Sequence, residues 1–393
     1  MGHIQPSKRS EAITESITLA ISARAAAMKA AGEDVISLGA GEPDFPTYEP
    51  VARAGIDAIT GGITRYTASS GLPDVRAAAA RWFRQFDLPY ETQNVMVTAG
   101  AKPALTMALL ALADPDDCIL TPAPYWPSYP EMVKLVGARS VDIALNPAEG
   151  FVPTREEIVT AAREHGAKGI MINFPNNPSG AVPTRDQVES IVDAAIEADL
   201  WILSDEIYAK LIYEGEHVSP ASFDKGFDRT VVVNGGTKSH SMTGWRVGFL
   251  AGPADIVAAA GRLQSQAIGN ACSISQMAAK RVCEGGDDDE MSRRLRAFDE
   301  RRQYLLGAIN EIPGLALDRP QGAFYALVDA RGACERLGID DLELTERLLV
   351  ESKVAVVPGS AFAIPGFLRL SYAASMDDLE RAVARMQSFF GAS

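Results

Sequence analysis

The chain has 393 residues, 47% of them hydrophobic, and a formal net charge of -14. A chain this long and apolar can bury a substantial core, which excludes a disordered or fibrous protein and fits about two domains. The acidic balance repels nucleic-acid phosphates and anionic membrane surfaces, so an anionic ligand must be held by local cations.

Lys8, Arg9, Glu11 and Glu15 interrupt the stretch where a secretory leader needs an unbroken apolar run. No later apolar run approaches membrane-spanning length, so a cytoplasmic protein with no membrane partner is expected. An alanine-rich helix is expected over 15–31, then a short strand over 35–38 that runs into Gly39-Ala-Gly-Glu-Pro-Asp-Phe45. From there helical stretches alternate with seven short apolar strands, over 95–98, 118–120, 140–143, 169–173, 200–204, 230–234 and 247–251. That alternation is the pattern of an α/β domain with a mostly parallel sheet flanked by helices. The runs near 170, 201 and 231 are almost continuously apolar, as strands covered on both faces are. Residues 284–290, acidic and glycine-containing, read as a solvated loop, and a long charged helix is expected from about 291 to 310. The rest holds strand-like pieces over 322–328, 353–357 and 368–372, a turn at 358–360 and an amphipathic helix over 376–390. Strands mixed with helices after the main alternation indicate a second, smaller α+β domain.

Cys118, Cys272, Cys283 and Cys334 show no C-x-x-C spacing, and the first three lie among apolar or small residues. They read as buried free thiols of a reducing compartment. His3, His165, His217 and His240 lack metal-ligand spacing, so no metal is expected.

The densest run of chemistry-bearing residues is Asn234-Gly-Gly-Thr-Lys-Ser-His-Ser-Met-Thr-Gly-Trp-Arg-Val-Gly248. An amine must shed its proton to attack an aldehyde, and a neighbouring cation favours that. Lys238, hemmed by small and hydroxyl residues with Arg246 eight positions on, is therefore a candidate Schiff-base lysine for pyridoxal 5'-phosphate. Arg246 and Thr237 are candidates for the phosphate. So is Thr98-Ala-Gly-Ala-Lys102, where a strand meets the first turn of a helix. The N–H groups of Gly100, Ala101 and Lys102 and the helix dipole favour an anion there.

Asp205, just past the apolar strand over 200–204, is placed to keep a pyridine nitrogen protonated, although a helix N-cap is the commoner use of an acid there when it is taken alone. Tyr208, and Asn177 in Asn173-Phe-Pro-Asn-Asn-Pro-Ser-Gly180, can reach a phenolic oxygen, while Asn-Pro and Ser-Gly are also ordinary turn formers. Trp126 offers a flat face to a ring, or packs in the core. In an open α/β sheet ligands sit beyond the carboxyl ends of the strands, which is where these residues fall.

These motifs, with Arg65-Tyr-Thr, Gly71-Leu-Pro73, Pro124-Tyr-Trp126, Gly322-Ala-Phe-Tyr325, Val357-Pro-Gly-Ser360 and Leu368-Arg-Leu-Ser-Tyr372, follow the order and spacing of one family over nearly the whole chain. The chain resembles a class I aminotransferase of the pyridoxal-phosphate fold type I superfamily, in the branch of bacterial aspartate aminotransferases. The resemblance implies a large cofactor-binding domain over 46–295, a small domain made of 1–45 and 296–393, and a homodimer with active sites at the subunit interface. It implies that Lys238 anchors the cofactor and then moves the proton between substrate and cofactor carbons, a role worth roughly 10²- to 10⁴-fold. Asp205 would pair with the pyridinium, and Tyr208 and Asn177 with the phenolate oxygen. Arg369 would grip the substrate α-carboxylate as a bidentate fork, with Gly41, Trp126 and Asn177 beside it. Tyr66 would reach the phosphate of the neighbouring subunit.

Three departures bear on the substrate. Ser265 stands where better-known aspartate aminotransferases carry an arginine for the distal carboxylate. In the branch resembled here a lysine at the phosphate loop takes that part, and Lys102 either matches it or is only a phosphate-side or surface charge. Thr14 and Glu15 stand where relatives that also accept prephenate carry a basic residue. Thr237 replaces a more usual serine and keeps the hydroxyl. The expected reaction is a two-step exchange of an amino group between an L-amino acid, aspartate first, and 2-oxoglutarate. Transamination of aromatic or other amino acids, and β-elimination at a carbon–sulfur bond, share the same core residues. A cofactor-binding DNA regulator is disfavoured by the acidic charge and by the lack of a basic helix-turn-helix before Gly39.

Overall fold

The computed structural model describes residues 4–391. All seven expected strands form one large sheet: β1 (Val95–Thr98), β2 (Cys118–Ala123), β3 (Arg139–Ala144), β4 (Ala167–Asn173), β5 (Trp201–Asp205), β6 (Thr230–Asn234) and β7 (Gly248–Ala251). Their spatial order is β1-β7-β6-β5-β4-β2-β3. From β6 to β3 every pairing is parallel, and β7 is antiparallel to both its neighbours. Parallel neighbours need a crossover of a dozen or more residues, usually helical. The link from β6 to β7 carries only the short 3-10 turn Thr243–Trp245 and so folds straight back.

Successive residues of a strand face opposite sides. Met171 and Leu203 accordingly pack with Leu105 and Leu109 of the helix Ala101–Leu112, while Ile170 and Ile202 pack with Ile158, Val188 and Ile191 on the other face. Both faces are covered, as the continuous apolar runs required.

The chain ends build a second core around Phe298, Phe324, Leu344 and Leu368, and this core also takes in Ile207, Tyr208 and Leu211 from just beyond β5. The helix Ile17–Ala30, capped by Ser16, leads to the strand Ile36–Ser37, which pairs in parallel with Val354–Ala355. A four-stranded antiparallel sheet runs in the order Val357–Pro358, Phe367–Ser371, Tyr325–Asp329, Ala316–Leu317. The single strand expected over 353–357 is thus two, because its ends pair with different sheets.

The long helix spans Asp288–Asn310 and starts three residues earlier than expected, inside the acidic stretch read as a loop. Asp288, Asp289 and Glu290 in its first turn complement the partial positive charge of a helix start. A short helix, Lys8–Ala12, had no counterpart in the sequence reading. The final helix is Met376–Gly391.

All four cysteines are free. Cys118 and Cys334 are buried, but Cys272 is exposed and Cys283 partly so, which corrects the expectation of uniform burial. His3 lies outside the described residues. Among the described residues no group of three or more His, Cys, Asp or Glu side chains could hold a metal ion, and no helix is long and apolar enough to cross a membrane.

Candidate active site

A cavity of about 480 Å³ opens beyond the carboxyl ends of β4, β5 and β6, between the two cores. Ala101, Lys102, Trp126, Asn177, Asp205, Tyr208, Thr237, Lys238, Arg246, Arg369 and Gly41 all line it. Gly100 stands at its edge as the cap of the helix Ala101–Leu112. Tyr66 is not brought there: it is 98% exposed in the single chain.

Lys238 follows β6, and its ammonium donates to the Gly41 carbonyl. Burial brings that ammonium down to about 8; Glu42 and Asp205 oppose the shift, and Arg369 and Arg246 add to it. Asp205 ends β5 and is 4% exposed. Its Oδ2 accepts from the Tyr129 hydroxyl at 2.8 Å and its Oδ1 from the Ile207 N–H at 3.2 Å. Burial nonetheless raises its carboxyl to about 6. The helix-cap alternative for Asp205 is not what the fold uses, since no α-helix follows β5 before Asp224–Phe227.

Arg369 lies on Phe367–Ser371 and is 2% exposed. Its Nη2 donates to the Gly39 carbonyl at 2.7 Å and its Nη1 to Asn177 Oδ1 at 3.1 Å, while its Nε has no partner. Among the described residues no carboxylate forms an ion pair with it. Its guanidinium lies 4.5 Å from the Tyr325 ring centroid and 4.9 Å from that of Phe362. A buried cation held only by neutral groups is costly unless an anion completes it. The cavity therefore favours an anion at Arg369.

The opposite end of the cavity is formed by a helix start. Gly100 sits at φ +111°, where a Cβ would lie 2.8 Å from Arg246 Nη2. No side chain caps the helix that begins at Ala101, so its first N–H groups remain available to an anion. Arg246, itself at φ +53°, donates through Nη1 to the Thr243 carbonyl at 2.8 Å. Thr237 donates to the Val247 carbonyl at 3.1 Å. Lys102 Nζ stands 4.7 Å from the Trp126 ring centroid, and burial with the Arg246 charge lowers its ammonium from the usual value. Tyr208 bonds Tyr325 hydroxyl to hydroxyl at 2.9 Å, and burial pushes its phenol well up.

Sequence reasoning missed Tyr129 and left Tyr325 without a role. Tyr129 falls in the first turn of Ser128–Val136, directly after the Pro-Tyr-Trp-Pro run, and Tyr325 closes the Gly-Ala-Phe-Tyr motif. Both signals were readable only once their partners were known. Ser265 lies on the helix Ala254–Ala267, donates to Arg262, and is not part of this chain's cavity wall. The Thr14 N–H donates to Glu131 at 3.0 Å, and neither residue lines this cavity.

Fold and cavity together set one buried lysine between an uncapped helix start and a buried arginine in an α/β protein. The family model described as aminotransferase class I and II matches residues 33–386. An aspartate aminotransferase of Streptomyces avermitilis is 42% identical over 390 residues, covering 97% of this chain and 95% of that one. An aspartate/prephenate aminotransferase of Thermus thermophilus is 38% identical over 390 residues, covering 98% of each. The solved structure of an aspartate aminotransferase from Thermus thermophilus with maleate superposes with a TM-score of 0.92 at 37% identity, covering 98% of this chain and 100% of that one. The chain belongs to the class I and II aminotransferase family, and it is an aminotransferase.

Proposed function

We propose that the protein exchanges an amino group between an L-amino acid, aspartate foremost, and 2-oxoglutarate, with pyridoxal 5'-phosphate as cofactor. The observation that carries this is Arg369: a buried guanidinium with an unpartnered Nε, sharing one cavity with Lys238 and Asp205. Every α-amino acid and 2-keto acid brings the carboxylate it lacks. Aspartate is favoured by the relatives' names and by Lys102 at the cavity wall, a cation available to a second carboxylate.

The residues present fit the cofactor. The N–H groups from Gly100 to Lys102, with Arg246 and Thr237, would hold its phosphate. Trp126 would cover its ring, Asp205 would bind the ring N–H, and Tyr208 with Asn177 would bind the phenolic oxygen. When bound, pyridoxal phosphate supplies an electron sink for the bond broken at the amino acid's α-carbon. Lys238, held at about 8, is partly unprotonated near neutral pH and can take the α-proton and return it. Arg369 and the Gly41 backbone orient the α-carboxylate, which fixes the α-carbon relative to Lys238 Nζ.

A homodimer is part of the reading. Tyr66 is exposed away from its own cavity, and Ile56 and Ile59 expose apolar surface on the helix Glu49–Thr60, which a second copy would cover. The division into 46–295 and the two chain ends, and a cytoplasmic location, belong to the same proposal.

Replacing Lys238 with alanine should abolish turnover while circular dichroism and thermal unfolding report a folded protein; preserved turnover would end this reading. Loaded wild-type protein given one amino acid and no acceptor should release one equivalent of keto acid per site, fastest with aspartate or glutamate. Continued pyruvate release from a cysteine conjugate would instead identify β-elimination.

A further inference from the structure

Between Asp205 and Tyr208, two residues assigned to the cofactor ring, stands a second acid that faces away from the cavity. Glu206 continues the β5 ladder, its N–H donating to the Val233 carbonyl at 2.8 Å, so its side chain leaves the opposite face from that of Asp205. It is 1% exposed. Its Oε1 accepts from the Ser219 hydroxyl at 2.6 Å, and its Oε2 contacts His217 Nε2 at 2.9 Å. A carboxylate can only accept, so His217 presents Nε2–H. The Phe86 ring packs edge-on against His217 at 5.4 Å, leaving the imidazole little freedom to turn away.

The Glu206 carbonyl accepts from the Ala209 N–H at 2.9 Å, and the Leu211 N–H donates to the Tyr208 carbonyl at 2.8 Å. The turn that presents Asp205 and Tyr208 is therefore held from behind by one buried carboxylate and two donors from the 217–219 segment. A structural hydrophobe would fill the same space without two charge-assisted bonds, and a buried charge is otherwise expensive.

We propose that Glu206, clamped by His217 and Ser219, is a positioning residue that fixes the 205–208 turn against the cofactor ring. It touches neither substrate nor cofactor and acts through Asp205 and Tyr208. This rests on the pyridoxal-phosphate reading above. At metal sites the partners that orient a ligand from outside typically cost 10- to 100-fold when lost, and an effect of the same order is expected for a cofactor ring.

The test uses holoenzyme of wild type, Glu206→Gln, His217→Phe, His217→Gln and Ser219→Ala. Three readings are taken on each: the rate of cofactor release on dilution, kcat and KM for the amino donor, and the thermal midpoint. Glu206→Gln and His217→Phe should release cofactor about tenfold faster or more and lower kcat with KM changed less than about threefold. His217→Gln, which keeps an N–H donor, should recover most of the loss. Release rates and kcat within about twofold of wild type in Glu206→Gln and His217→Phe, with only the thermal midpoint lowered, would overturn the proposal. Should Glu206→Gln fail to fold, the two His217 variants and Ser219→Ala decide by the same criteria. Failure of wild type itself to retain pyridoxal phosphate would count against the cofactor reading and not against the clamp.

Discussion

Replacing Asp205 with asparagine should stabilise the cofactor-free protein while destroying its activity. The carboxyl is buried and titrates at about 6 in the fold against 3.8 unperturbed. A folded value above the unfolded one contributes stability below pH 3.8 that is lost as the pH rises through 6, because the fold binds the proton more tightly than the open chain does. Integrating between those two values, holding the ionised group inside costs about 3 kcal/mol at pH 7.5, roughly half of that at pH 5 and little at pH 4. Asparagine has no charge to bury, and its amide oxygen still accepts from the Ile207 N–H while the Tyr129 hydroxyl turns to accept. Urea unfolding of cofactor-free wild type and Asp205→Asn, at one protein concentration and at those three pH values, should show the variant more stable by amounts that shrink as the pH falls. Adding pyridoxal phosphate should reverse the order at pH 7.5, since only the wild type gains an ion pair with the ring N–H. A variant no more stable than wild type at pH 7.5, or an advantage that does not change between pH 7.5 and 4, would refute the reasoning.

Arg369→Lys keeps the charge and loses the fork, so kcat/KM for aspartate and for 2-oxoglutarate should both fall about 10²-fold; a loss confined to one substrate would show that Arg369 does not read the shared α-carboxylate. Lys102→Met should lower kcat/KM for aspartate by about 10- to 100-fold and for alanine by less than about threefold, and equal losses would assign Lys102 to the phosphate instead. Gly100→Ala combines a strained φ of +111° with a Cβ 2.8 Å from Arg246 Nη2. It should cost about 1–3 kcal/mol of stability and weaken pyridoxal-phosphate binding about tenfold or more, read by equilibrium dialysis; unchanged affinity would remove Arg246 from the phosphate site.

The parts of this site that the sequence showed are those whose chemistry is local. Lys238 and Arg246 sit in one loop, Asp205 and Tyr208 in one turn, and Gly100 to Lys102 at one strand-to-helix junction, so motif spacing placed each cluster without the fold. The seven strands were legible because burial on both faces demands unbroken apolar runs, and β5 and β6 comply. Strand direction was not, because it depends on how the chain returns: nothing in Gly248–Ala251 itself marks β7 as reversed, and only the lack of a crossover helix before it does. What stayed hidden are contacts between residues far apart in the chain. Tyr129 reaches Asp205 across 76 positions, Tyr208 reaches Tyr325 across 117, and Arg369 reaches Asn177 across 192. Each of these is a neutral or half-satisfied bond that leaves polarity directed into the cavity. The pattern explains why the site strains the protein that carries it: Asp205, Lys238 and Arg369 are all shifted against their charged forms by burial. Groups held this way gain more from a charged partner than solvated groups would, so the same burial that costs stability favours a ligand whose charges match them.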